Sequence, residues 1–237
     1  MWVALLSGAI SGMALFALQH LTIHPLIESA EVYEARAEQS PTEESADSTD
    51  EHAWEPAEGW QRTSLTLLST LLTGIGFAAL LFGLASMWGA PRSSAPMSRA
   101  PMTAARGLRW GLAGFACFVL APSLGLPPEP PGVLVSDLQA RQLWWLATVA
   151  ATAGGLLLLS ESGSQTKLRW PLRAAGVIAI ALPHLIGAPQ DALGQLVPDD
   201  LIRRFQIASI ASNAVFWALL GTLGGYLTSR WNKLTAR

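Results

Sequence analysis

Charged residues are scarce in this sequence. Asp, Glu, Lys and Arg together make up only 14% of the 237 residues, whereas 51% are hydrophobic. A soluble domain carries about 25% charged residues. This shortage argues against an ordinary soluble domain and predicts a protein whose helices are embedded in a membrane.

Several chemical signatures are also missing. The single cysteine, Cys117, lies in an apolar run, so no disulfide can form within the chain. There is no Walker A sequence for ATP, and neither His-Glu-x-x-His nor Gly-x-Ser-x-Gly occurs. No Asp or Glu lies in the middle of an apolar run, which excludes the usual carboxylate proton relay. We therefore expect a protein that is not an enzyme and that keeps no cofactor permanently bound.

The apolar residues form long runs. A helix needs about 20 apolar residues to cross the hydrocarbon core, and about 17 can suffice. The third and fifth runs are the shortest, and each contains an internal proline, so five spans is the alternative count. We expect an all-α polytopic membrane protein with about six transmembrane helices, in which residues 1–237 form a single membrane domain. The six runs are 2–26, 64–88, 107–125, 143–160, 172–188 and 206–229.

The distribution of charge predicts the orientation of these spans. Residues 89–109, residues 161–173 and the C-terminal tail hold ten of the fifteen basic residues but only one of the seventeen acids. Six spans place all three stretches on one side of the membrane, and the positive-inside rule makes that side cytoplasmic. We therefore expect a multi-pass protein of the bacterial inner membrane with both termini in the cytoplasm.

A weak internal repeat accompanies this pattern. Each outward span ends near proline, and each returning span begins close to an arginine, namely Arg62, Arg141 or Arg204. The pattern favours three repeated in-out-in hairpins, a known arrangement among transporters. Chance similarity between Ala-, Leu- and Gly-rich segments is the alternative explanation. We expect the three arginines to pair with Glu129, Asp137 or Asp199 and to fix the ends of helices.

Most of the acidic residues lie in one extracytoplasmic loop, residues 28–62. Eleven of the seventeen acids fall between Glu28 and Glu58. The middle of this loop, residues 37–51, has too little apolar content to pack, so we expect it to be disordered. The loop is either a solvated linker or a funnel that raises the local concentration of cations.

The histidines give the clearest candidate for a functional site. His20 and His24 are four residues apart, so on a helix they share one face and can reach one cation. In the six-span arrangement all four histidines fall on or near the outer side, and imidazole with carboxylate suits divalent cobalt, nickel or zinc. The alternative is that each histidine only forms local hydrogen bonds. The candidate metal ligands are His20, His24, Glu28, Glu31, Glu34, His52 and His184.

Several longer motifs resemble those of the CbtA family of cobalt-transporter subunits. They run in order through nearly the whole chain and include Trp54-Glu-Pro56-Ala-Glu-Gly59-Trp and Leu182-Pro183-His184-Leu-Ile-Gly187-Ala-Pro189. The resemblance implies a bacterial inner-membrane protein that takes up cobalt for cobalamin supply. It also implies a partner, a small single-span CbtB-like subunit with a histidine-rich end.

The sequence departs from that family in its first outer loop. Many members carry a run of histidines just before the Trp-x-Pro motif, whereas only His52 stands there in this chain. The departure shifts the expected coordination of transported Co²⁺, or alternatively Ni²⁺, to His20, His24 and His184. Glu28, Glu31 and His52 would capture the ion at the outer face. The competing hypothesis is a non-transporting accessory membrane protein whose outer loop binds a partner or senses metal.

Overall fold

The computed structural model describes residues 1–38, 59–88, 102–135, 137–161, 167–190 and 192–235. Nearly all of these residues are helical, which confirms the predicted all-α fold. A short two-stranded antiparallel ribbon is added to it. The helices are α1 (Trp2–Thr22), α2 (His24–Glu38), α3 (Trp60–Trp88), α4 (Ala104–Phe115), α5 (Ala121–Gly125), α6 (Leu138–Glu161), α7 (Arg169–Ile186) and α8 (Asp199–Thr235), and the strands are β1 (Val133–Val135) and β2 (Ala192–Gln195).

Five helical segments of the described residues are long and apolar enough to cross a membrane. They are α1, α3, the continuous segment Ala104–Gly125, α6 and α8. Helix α7 has 18 residues, which gives a length of about 27 Å. It runs antiparallel beside α6, with Gly176 next to Gly155 and Pro183 next to Trp144. Helix α7, which covers the fifth predicted run, is not among these five, so a sixth span through α7 stays a prediction.

Several helices extend beyond the apolar runs into the polar residues that flank them. Helix α4 begins at Ala104, where the Thr103 hydroxyl accepts a hydrogen bond from the Arg106 amide at 3.2 Å, a typical N-cap. The third span has a π-helical turn, residues Ala116–Leu120, just before Pro122, and the helix continues past this proline. Proline has no amide hydrogen to donate, and the wider turn accommodates that loss. The span therefore stays continuous up to Gly125.

Glycines determine which helices pack most closely. A Cβ added at Gly8 would lie 2.6 Å from the Ile75 Cα, so α1 and α3 are in backbone contact. A Cβ added at Gly107 would overlap the carbonyl oxygen of Gly221, so α4 and α8 are equally close. Small residues allow such approach between membrane helices. The sequence repeat predicted consecutive hairpins, and α1 with α3 fits it. However, α4 packs mainly on α8, and α7 packs on α6.

The largest apolar cluster lies where α1, α3 and α8 meet. It contains Leu15, Leu81, Phe216 and Leu220 among its buried members. The rings of Phe77 and Phe216 are 6.4 Å apart, and further along the same helices Phe82 packs against Gly224. Helices α3 and α8 therefore run in the same direction, and α1 runs opposite to both.

The ribbon gathers the connecting segments at one end of the bundle, here called the ribbon end. Strand β1 precedes α6 and β2 precedes α8, and the Leu196 amide donates to the Gly132 carbonyl at 2.8 Å. Gly132 has a φ of +83°, which favours glycine. A Cβ there would also approach Val197 and the side chain of Glu34. Helix α2 therefore lies against the ribbon.

One of the three arginines at the starts of returning spans pairs with an acid that the sequence interpretation named. Arg141 pairs with Glu129 at 2.5 Å, as predicted, and joins α6 to the segment that precedes β1. Arg204 pairs with Asp200, one turn earlier in α8, at 3.4 Å. The partner of Arg62 belongs to the candidate site.

Candidate metal-binding site

A break in the chain separates the two histidines that the sequence placed on one helix face. Helix α1 ends at Thr22 and α2 begins at His24, with the Ile23 amide bonded to the Gln19 carbonyl at 2.8 Å. Pro25 cannot donate to a carbonyl of the preceding turn, so the helix changes direction here. His20 and His24 nevertheless stay adjacent, because their ring centroids are 5.1 Å apart in an edge-to-face arrangement.

Each histidine is held by a neighbour on its own helix. The His20 ring is exposed and stacks on Phe16 at a centroid distance of 5.8 Å. The His24 Nδ1 atom lies 3.2 Å from a carboxylate oxygen of Glu28. In this geometry Nδ1–H donates to Glu28 and leaves Nε2 free to bind a metal, as in many carboxylate–histidine–metal sites.

A cavity of about 260 Å³ lies beside the histidine pair, between α1, α2 and α3. One water occupies about 30 Å³ in the liquid, so this space can hold several waters at once. Its wall on α3 is polar, whereas α1 and α2 contribute apolar groups as well as the imidazoles. The lining residues are Phe16, Gln19, His20, Ile23, His24, Ile27, Arg62, Thr63 and Thr66.

An ion pair closes one side of this cavity. An Arg62 guanidinium nitrogen lies 2.7 Å from a carboxylate oxygen of Glu31, and both side chains are about one-third exposed (34% and 36%). The guanidinium alone would repel a cation in the cavity, and the carboxylate offsets that charge. The structure therefore uses Glu31 as a partner of Arg62, which the sequence interpretation did not anticipate.

Among the described residues, the remaining sequence-predicted ligands Glu34 and His184 do not join the histidine pair. Glu34 packs beside Gly132 of the ribbon. His184 lies in the last turn of α7 with its ring 5.8 Å from that of Trp144, and its Nε2 atom is buried without a hydrogen-bond partner among the described residues. His52 falls in the segment 39–58, outside the described residues, as does most of the loop segment 37–51.

No metal-holding group of three or more His, Cys, Asp or Glu side chains occurs in the part of the chain that the structure describes. His20, His24 and Glu28 follow one another along the break between α1 and α2, but they do not converge on one point as three ligands. The structure thus brings together two imidazoles with a supporting carboxylate.

Two threonines on the cavity wall were missed by the sequence interpretation. Thr63 and Thr66 line the cavity from α3, and Thr70 follows one turn later. The Thr66 hydroxyl donates to the Arg62 carbonyl at 2.8 Å. The spacing of three and four residues places all three on one helix face, which is the sequence signal that would have found them.

Comparison with known proteins adds a family match. A family model described as "Probable cobalt transporter subunit (CbtA)" matches residues 1–229, nearly the whole chain. No curated protein and no solved structure matches the chain significantly.

Proposed function

Because the chain belongs to the CbtA family of probable cobalt transporter subunits, we propose that it carries Co²⁺ into the cell for cobalamin synthesis. The family and the five apolar helices make it a multi-pass membrane protein. Our proposal places it in the bacterial inner membrane with the ribbon end outside and both termini in the cytoplasm. Residues 1–237 form one membrane domain in this proposal, and the protein is not an enzyme.

The histidine pair beside the cavity is the observation that carries this proposal. Imidazole nitrogens bind first-row divalent metals at about 2.0–2.1 Å, so rings 5.1 Å apart can reach one ion after small rotations. Glu28 orients the His24 ring and fixes which nitrogen can face the metal. Two protein ligands leave the other positions of the ion to water. Such a site binds weakly enough to release its ion, which a transport pathway needs.

The other candidate ligands keep a place in the proposal. Glu28 and Glu34 make the approach to the cavity acidic, which raises the local cation concentration, while Glu31 offsets the charge of Arg62. In our proposal His52 helps to capture the ion at the outer face. His184 is a separate ligand on α7, supported by its buried Nε2 atom. A CbtB-like single-span partner with a histidine-rich end would add imidazoles to the incomplete site. The word "subunit" in the family description supports a partner.

The membrane potential supplies a driving force for inward transport. It contributes about 2.3 kcal/mol per charge for each 100 mV, and a divalent cation carries two charges. Nitrogen ligands bind Ni²⁺ more tightly than Co²⁺ by the Irving–Williams order. Nickel is therefore an alternative substrate in our proposal, and selectivity for cobalt would come from geometry or from metal supply.

Uptake of labelled cobalt tests the proposal directly. Metal-starved cells without their own uptake systems would express the chain alone, with a CbtB-like partner, or as the His20→Ala/His24→Ala double variant. We expect the double variant to lose at least about 10-fold in uptake at matched membrane levels. Thr22→Ala is the control, because Thr22 lies between the two histidines but is exposed and bonds only to the Leu18 carbonyl. Wild-type uptake by the double variant would remove the histidine pair from the pathway.

The accessory hypothesis is favoured by one observation, the lack of a three-ligand metal group among the described residues. In that case the acidic loop would bind a partner or sense metal, and the chain would transport nothing. Deleting residues 39–51, just beyond the end of α2, separates the two functions. Transport through the His20–His24 site should survive the deletion, whereas an interaction that depends on the loop should be lost.

A further inference from the structure

Ser11 is a buried hydroxyl that the fold leaves without a partner. It lies halfway along α1 with 0% of its surface exposed, and its Oγ atom has no hydrogen-bond partner among the residues that the structure describes. Ser7, one turn earlier and equally buried, donates to the Val3 carbonyl at 2.7 Å. The corresponding acceptor for Ser11 is the Ser7 carbonyl, but the Ser11 hydroxyl does not donate to it.

An unused buried hydroxyl costs stability and calls for an explanation such as a bound water or ion. Several other hydroxyls in the described spans follow the example of Ser7, although that of Thr152 on α6 is, like Ser11 Oγ, buried without a partner among the described residues. Ser123 bonds to the Val119 carbonyl at 2.7 Å, and Thr148 bonds to the Trp144 carbonyl at 2.9 Å. The deviation at Ser11 therefore points to a ligand at this position.

The register of the helices places other hydroxyls at the same depth. Gly12 packs against the backbone of Thr70, so Ser11 and Thr70 lie at one level. Phe77 and Phe216 are in ring contact, and α3 and α8 run in the same direction. Thr70 lies two turns, or roughly seven residues, before Phe77 on the same face of α3. Ser209 lies the same distance before Phe216 on α8, so both are closer to the ribbon end than the two rings.

Four buried residues with hydroxyl groups thus lie at a similar depth on α1, α3 and α8, and they are here called the hydroxyl cluster; the Thr70 hydroxyl donates to the carbonyls of Thr66 and Leu67, which leaves its oxygen lone pairs available. Two of them come from α8, one from α1 and one from α3. They are at most 8% exposed, and they lie in a region whose other buried side chains are mostly apolar. The members of the hydroxyl cluster are Ser11, Thr70, Ser209 and Ser212.

The hydroxyl cluster and the cavity beside the histidines share one face of α3. Thr63, Thr66 and Thr70 share one face of α3, and the first two line that cavity. Ser11 is nine residues from His20, about 14 Å along the helix axis. The hydrocarbon core is about 30 Å thick, so the cluster lies near its middle.

We propose that the hydroxyl cluster is a second, oxygen-lined binding site for the transported divalent cation, with Ser11 Oγ as the contributing ligand. This inference rests on the proposed function and extends it into the membrane. Neutral hydroxyl oxygens bind divalent cations more weakly than imidazole or carboxylate does. An ion could therefore leave this site toward the cytoplasm under the membrane potential.

A pair of serine variants tests the site. Ser11→Ala should lower cobalt uptake at least about 10-fold, whereas Ser7→Ala, equally buried on the same helix, should stay within about 2-fold of wild type. Ser11→Ala removes no hydrogen bond within the described fold and removes a buried hydroxyl without a partner, so its thermal midpoint in detergent should be equal to or higher than that of wild type. Loss of uptake without loss of stability would support a ligand role and would not be expected from a packing defect.

Cysteine labelling provides an independent measurement. Cys117 is the single cysteine, so a Cys117→Ala background allows Ser11→Cys and Ser7→Cys to be probed separately. A charged, membrane-impermeant thiol reagent added outside should modify the cysteine at position 11 during turnover, and excess Co²⁺ should slow the reaction several-fold. The cysteine at position 7 should react slowly, with or without cobalt.

The outcomes separate this inference from the proposed function. If wild type takes up cobalt and both serine variants do so equally, with no cobalt-protected labelling, the inference is overturned. If wild type takes up no cobalt even with a CbtB-like partner, the proposed function fails. Labelling then decides the inference by itself: cobalt protection at position 11 supports a cation site, and its absence overturns it.

Discussion

Replacing Gly8 by alanine should part α1 from α3, the two helices that form most of the cavity beside the histidines. The new Cβ would lie 2.6 Å from the Ile75 Cα and 2.7 Å from the Gly74 carbonyl oxygen. Ordinary contacts begin near 3.4 Å, so the helices must separate by about 0.8 Å. Both obstacles are backbone atoms, which no change of rotamer can move.

The expected cost follows from that separation. A gap of about 0.5–1 Å forfeits a quarter to a half of each dispersion contact across an interface, and overpacking of this kind typically costs about 1–3 kcal/mol. For a chain of this size we expect the thermal midpoint to fall by about 3–10 °C. The assay is thermal unfolding of the purified protein in detergent, with gel filtration of the heated samples as the readout of remaining folded protein.

Gly76→Ala is the matched control, because it lies on α3 only two residues from Gly74 and a Cβ there meets nothing within 4 Å. Alanine should stabilise that helix by up to about 1 kcal/mol. The two variants should therefore shift the midpoint in opposite directions. Equal midpoints for Gly8→Ala and Gly76→Ala would refute the backbone contact between α1 and α3.

Two further predictions concern the charges around the cavity. Glu28→Gln should raise the KM for cobalt, but less than His24→Ala does, because the carboxylate supports His24. Ser29→Ala, at an exposed neighbour of Glu28 whose hydroxyl donates to the Pro25 carbonyl, should leave KM unchanged, and an equal effect of both variants would count against the support of His24 by Glu28. Glu31→Gln should raise KM about 2- to 5-fold by leaving the Arg62 charge less compensated. The double variant Arg62→Gln/Glu31→Gln should recover most of the wild-type affinity for cobalt. If its KM is raised as much as that of Glu31→Gln, the Arg62 charge is not the cause.

The sequence predicted the helices well because each span must satisfy its own backbone within apolar surroundings. Long apolar runs therefore specify helices regardless of their neighbours, and the charged ends near Arg141 and Arg204 extend them. The pairing of α4 with α8 could not be predicted in the same way. Gly107 and Gly221 mark faces suited to close approach, but their spacing does not say which helix will approach.

The candidate site was predicted only in part for a related reason. His20 and His24 are local in sequence, so their proximity survives the break before Pro25. The contact of Arg62 with Glu31 depends on where α2 lies relative to the start of α3, and charge alone cannot select one acid among many. The sequence places His184 on the same side of the membrane as the other histidines. This constrains the depth of His184 in the membrane but not its lateral position among the helices.

The break between α1 and α2 has a thermodynamic consequence. Because His20 and His24 belong to different helices, an ion bridging them binds well only at certain angles between those helices. Binding and helix orientation are then linked reciprocally: whatever shifts the orientation changes the affinity, and the ion shifts the orientation by the same free energy. Suppose that a partner docks on α2 and stabilises the binding-competent helix orientation by about 1.4 kcal/mol. Cobalt affinity would then change about 10-fold, although the partner touches neither imidazole.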